Sequence, residues 1–98
     1  MSAIAEEVTR REPMHVLHIT ILYNGIPKKI DIDREATVKT LLDRAIALFG
    51  NLPQPHTLAL WTEKGAELAN EQETLKAAHV KDGDSLILRP SAVKGGKA

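Results

Sequence analysis

The sequence predicts an α+β fold: a mixed sheet of four to five strands packed on one main helix. Three observations carry this. Two alternating stretches, residues 15–23 and 26–33, are joined by Asn24-Gly25. One stretch, residues 38–49, keeps its apolar side chains on a single helical face. A last apolar strand, residues 85–89, follows a tight turn near the C-terminus. One helix covers only one face of a sheet, so the other face is left to water or to partners.

Each element has a local cause. In residues 15–23, Leu17, Ile19 and Ile21 face one way while Val16, His18, Thr20 and Leu22 face the other. Asn24-Gly25 is a hairpin signal, because both central positions of a type I′ turn need positive φ. Residues 26–33 alternate again, with Ile30 and Ile32 inward and Lys29, Asp31 and Asp33 outward. Thr37 caps a helix whose apolar positions are Val38, Leu41, Leu42, Ala45 and Phe49, and Gly50-Asn51 ends it. Pro53 and Pro55 mark the loop that follows. Residues 57–62 form a strand with Leu58 and Leu60 inward, closed by the turn Glu63-Lys64-Gly65. Residues 66–68 are expected as a short edge strand and residues 73–78 as one or two helical turns. Lys81-Asp82-Gly83-Asp84 turns the chain into the last strand, where Leu86 and Leu88 point inward.

Composition narrows the function. The chain has 98 residues, enough for one modest core. Thirteen basic and thirteen acidic residues cancel, so no large field favours nucleic acid or an anionic membrane. Cysteine is absent, which excludes disulfides, cysteine-based zinc sites and thiol catalysis. No apolar run reaches the roughly 18 residues of a membrane span, and the start lacks the pattern of a signal peptide. A cytoplasmic monomer is expected. Residues 1–13 read as a flexible arm with transient helix, residues 14–89 as the folded domain, and residues 90–98 as a flexible tail.

A strand that returns beside the first one, after a long connection through the helix, runs parallel to it. That arrangement is the β-grasp. The order of elements, the Asn24-Gly25 hairpin, the Thr37-capped helix and the closing run Val80-Lys81-Asp82-Gly83-Asp84-Ser85-Leu86-Ile87-Leu88-Arg89 resemble ubiquitin and its relatives over about residues 15–96. Gly95-Gly96 followed by Lys97-Ala98 is similar to the end of an unprocessed ubiquitin-like precursor. The flavour is that of the bacterial ubiquitin-like (multiubiquitin-type) modifiers.

The resemblance implies a specific chemistry. A processing peptidase, of the JAB type or another, cuts after Gly96. An activating enzyme, which itself binds ATP and Mg²⁺, adenylates the Gly96 carboxylate. The carboxyl group passes as a thioester to a conjugating enzyme and ends as an isopeptide on a lysine of a target protein. Gly95, Gly96 and Lys97 are then the conjugation and processing residues, and Arg89, Val93 and Lys94 the lead-in that the enzymes grip. The chain catalyses nothing and carries no cofactor in this scheme. Its tail departs from ubiquitin's: Pro90 is present, the arginines before the diglycine are missing, and the tail is longer.

Alternation also places Leu22, Ala59, Trp61, Ile87 and Arg89 on the face opposite the helix. Leu22, Ala59, Trp61 and Ile87 are therefore expected to form a partner-docking patch. The competing reading is that single exposed apolar residues are normal. Other candidates are better explained as surface. His15 and His18 point to opposite faces, and His56 and His79 have no neighbour at ligand spacing, so no metal site is expected. Asp31 and Asp33 are solvated charges beside Lys29, not an acid/base pair. Asp82-Gly83-Asp84 is a turn without the oxygen-rich run of a calcium loop. No nucleophile elbow or phosphate loop appears. Two further readings remain beside the modifier: a β-grasp interaction module that is never conjugated, and a sulfur carrier, against which the residues after Gly96 argue.

Overall fold

The computed structural model describes residues 16–94. The N-terminal arm, His15, Gly95, Gly96 and Lys97 lie outside the described residues. The elements are β1 (Val16–Tyr23), β2 (Ile26–Asp33), α1 (Val38–Phe49), a 3₁₀ turn (Pro55–Thr57), β3 (Leu58–Thr62) and β4 (Ser85–Pro90). They form one mixed sheet in the order β2-β1-β4-β3. β1 and β2 pair antiparallel along their whole length, from Val16 opposite Asp33 to Tyr23 opposite Ile26. β4 lies parallel to β1, with Ile21 opposite Leu86, and antiparallel to β3, with Leu60 opposite Leu88. This is the β-grasp order, with the parallel pair at the centre.

Local chemistry sets the ends of each element. Asn24 and Gly25 have φ of 53° and 78°, the primed turn that suits the right-handed twist of the flanking strands. The Thr37 hydroxyl oxygen accepts from the Thr40 N–H at 3.2 Å. Two more donors at the start of α1, the N–H groups of Val38 and Lys39, reach the carbonyls of Glu73 and Glu71 at 2.8 and 3.0 Å. The β3–β4 crossover thus satisfies backbone groups that a helix start leaves free. Gly50, at φ 69°, donates to the Ile46 carbonyl at 2.9 Å and ends the helix.

The core lies between α1 and the inner face of the sheet. Leu17, Ile19, Ile21, Ile30, Ile32, Leu58, Leu60, Leu86 and Leu88 are buried, as are Val38, Leu41, Leu42 and Ala45 of the helix. Phe49 is half-buried and meets Tyr23 ring to ring at 5.5 Å. Leu75 and Val80 close the core from the crossover, where the sequence offered no periodicity to announce them.

Several expectations are refined or corrected. Residues 73–78 make one helical turn, the Ala78 N–H donating to the Thr74 carbonyl at 2.9 Å. It lies within a run of turns that does not extend into a regular helix, and the backbone also pairs with the β2–α1 connection. The Leu75 N–H donates to Ala36 at 2.8 Å and that of Lys76 to Arg34 at 3.0 Å. Residues 66–68 do lie along the edge of β3, with the Thr62 N–H donating to Ala66 and the Leu68 N–H to Leu60, both at 2.8 Å. Their pairing is a single bridge, Trp61 opposite Glu67, and not a full strand. Thr57 belongs to the 3₁₀ turn, and Pro90 to β4. Pro90 fits there because its nitrogen faces the β1 side, where pairing has already stopped at Leu22 opposite Ile87, so no ladder bond is lost.

Candidate functional site

The outer face of the sheet carries the first half of the site. Ile87 lies opposite Leu22 on β1 and opposite Trp61 on β3, so these three side chains form one row across three strands. All three are half-buried. Beyond the row, the Arg89 guanidinium sits over the Trp61 ring, 4.8 Å from its centroid. The Trp61 indole N–H is buried without a hydrogen-bond partner. Ala59 does not join the patch as expected. It pairs with Arg89 and is 1% exposed, because a single methyl group cannot rise above the arginine and indole beside it. A groove of about 350 Å³ runs from this face past Tyr23, Gln54 and Pro90.

The root of the C-terminal tail is the second half. A flexible tail beginning at Pro90 was expected, yet residues 91–94 are hydrogen-bonded to the domain. The Ser91 N–H donates to the Thr57 carbonyl at 2.9 Å. The Ser91 hydroxyl donates to one oxygen of the Glu67 carboxylate, and the Ala92 N–H to the other at 2.8 Å. The same hydroxyl accepts from the N–H groups of Val93 and Lys94, at 3.0 and 2.9 Å, and so folds the chain into a turn. The Lys94 ammonium donates to the Leu58 carbonyl at 2.9 Å and pairs with the Glu71 carboxylate. The side chains of Ala92 and Val93 are exposed, that of Val93 to 68%. Glu67 and Glu71 were not singled out in the sequence. Their only signal was a negative charge ahead of a basic tail, which many surfaces carry.

A third cluster lies at the far end of β1. His18 Nδ1 sits 2.8 Å from Asp82 Oδ1, the His18 N–H donates to the same oxygen at 2.7 Å, and Asp31 is 4.0 Å from Nε2. Asp82 and then Asp31 raise the His18 pKa above its ordinary value, while the His18 backbone N–H, followed by its ring, lowers that of Asp82. Among the described residues no group of three or more acidic, His or Cys side chains has metal-site geometry. Asp31 and Asp33 face water on β2. No helix among the described residues is long and apolar enough to cross a membrane.

Comparison with known structures supports the fold. Ubiquitin from Caldiarchaeum subterraneum is 31% identical with a TM-score of 0.66, over 82% of this chain and 99% of that one. The ubiquitin-like domain of Dsk2 from Plasmodium falciparum (22% identity, TM-score 0.64) covers 78% of this chain and 99% of its own. The EccD5 ubiquitin-like domain from Mycobacterium xenopi (17%, 0.65) covers 78% of this chain and 94% of its own. No curated protein matches the sequence. A family model described as "Protein of Unknown function (DUF2604)" matches residues 12–98, a stretch that takes in the whole domain and the diglycine. With this match, the central parallel pair of strands and the archaeal ubiquitin likeness, the chain belongs to that family and is a ubiquitin-like β-grasp protein.

Proposed function

We propose that the chain is a protein modifier, joined to targets through the carboxyl group of Gly96. The observation that supports this most is placement: Gly95-Gly96 begins five residues beyond Pro90, the end of β4, in a ubiquitin-like domain. Glycine has no side chain, so this pair can pass a narrow cleft and offer a carboxylate. In this reading a JAB-type or other processing peptidase cuts before Lys97. An activating enzyme supplies ATP and Mg²⁺ and forms the acyl-adenylate, and a conjugating enzyme carries the thioester. Arg89, Val93 and Lys94 are the contacts nearest the reacting end, and the Leu22–Ile87–Trp61 row is the docking face. Activating enzyme, conjugating enzyme, peptidase and targets share the cytoplasm with this chain, which acts as a monomer and is not itself an enzyme. A bacterial modifier system is the setting that the sequence resembles.

The test is chemical. Native protein should lose Lys97-Ala98 by mass spectrometry, and Gly96→Ala should abolish covalent adducts in cells. Adducts that persist in Gly96→Ala refute the proposal. A second reading, an interaction module that is never conjugated, is favoured by the Dsk2 and EccD5 likenesses, both of which are named as domains. It expects an unprocessed terminus and partner binding unaffected by Gly96→Ala.

A further inference from the structure

Two carboxylates hold the chain just ahead of Gly95. Glu67 grips Ser91 and Ala92, and Glu71 grips Lys94. The Lys94–Glu71 pair is sheltered, with side chains 27% and 18% exposed, in contrast to the open Lys39–Asp43 pair at 55% and 57%. Shelter reduces the solvent screening that weakens an ordinary surface ion pair. The base is also firm. The Glu71 carbonyl caps Lys39 at the start of α1, and Glu67 is bridged to Trp61 on β3.

We propose that Glu67 and Glu71 form a two-point latch that holds residues 91–94 in their turn and so controls when Lys94 can be drawn straight into an enzyme's cleft. A cleft that threads a glycine pair takes the preceding residues extended, at about 3.3 Å per residue. Residues 91–94 are instead turned about the Ser91 hydroxyl, and the Lys94 ammonium is occupied. The turn about Ser91 and the Lys94–Glu71 contact must open before these residues can lie straight, and Glu67 holds the Ser91 hydroxyl on which the turn is built. Only the identity of the enzymes concerned rests on the modifier reading; the latch itself is a property of the folded chain.

Trypsin provides a probe that needs no native partner, since it must draw the Lys94 side chain into its own acidic pocket. The full-length native protein, Glu67→Gln, Glu71→Gln and the double variant are digested briefly, and cleavage after Lys94 is timed by mass spectrometry. Thermal melting confirms that each variant is folded. The expected result is a rise of at least about threefold in each single variant and about tenfold in the double, which corresponds to ~1.4 kcal/mol of latch free energy. An unchanged rate in the folded variants overturns the latch. If a glutamine variant does not fold, Ser91→Ala removes the hydroxyl that knits the turn, and an unchanged rate there overturns it equally. Adduct formation is scored separately. Absent adducts with faster cleavage leave the latch standing, and unchanged cleavage with normal adducts leaves the modifier standing.

Discussion

Leu75 is the residue on which the platform for the tail depends. It is fully buried, and its backbone is tied to the β2–α1 connection through Ala36 and to Val80 at 2.9 Å. Leu75→Ala keeps those backbone bonds and removes three carbons from the core. At about 0.8 kcal/mol per buried methylene the transfer loss is ~2.4 kcal/mol, and the cavity left behind brings the total to about 3 kcal/mol. A domain of this size has roughly 5–15 kcal/mol in all, so the variant should fold but be strongly weakened. Urea unfolding followed by circular dichroism should show a lower midpoint at unchanged slope, and the melting temperature should fall by roughly 12–24 °C. Lys76→Ala, one residue on and exposed, should stay within about 0.5 kcal/mol of the parent. A loss below about 1 kcal/mol in Leu75→Ala would show that the crossover is not packed into the core. The positions of Glu67 and Glu71 would then lose their support.

Two further outcomes are expected. The raised pKa of His18, set first by its hydrogen bond to Asp82, means that its contribution is complete below about 6.5 and is lost as pH rises through the raised value. Asp82, held below 3.8 chiefly by the His18 backbone N–H, contributes above that value and loses its effect as pH falls through its depressed pKa. His18→Gln should therefore cost more melting temperature at about pH 6 than at about pH 8.5, with parallel pH profiles for parent and variant counting against the pair; the group is exposed, so added salt should shrink the effect. Ile87→Glu puts a charge in the middle of the Leu22–Ile87–Trp61 row. It should remain folded by circular dichroism yet weaken activating-enzyme binding at least about tenfold in calorimetry, and full binding by the folded variant would remove the docking face from the proposal.

The inward residues were legible because period-two alternation in β1 and β2 and the helical spacing from Val38 to Ala45 are written in neighbouring residues. Asn24-Gly25 and Gly50 were legible for the same reason, since positive φ has a chemical signature. The crossover was not. Residues 73–78 have enough helical propensity for the single turn from Thr74 to Ala78, but the Leu75 and Lys76 N–H groups bond Ala36 and Arg34, tens of positions earlier in the chain, and nothing local announces that pairing. Ala59 illustrates a subtler limit. Its strand parity was right, but burial was decided by the size of Arg89 and Trp61 around it.

The residues alone determined the α+β class, the strand and helix faces, and a diglycine placed beyond a closing strand, because these depend on spacing and turn chemistry over a few positions. Only the folded chain decided that Leu22, Ile87 and Trp61 lie in one row, that Leu75 completes the core, and that Glu67 and Glu71 hold Ser91, Ala92 and Lys94. Those pairings join residues that are distant in sequence. Their geometry follows from the path of the backbone around the helix, and no local pattern encodes that path.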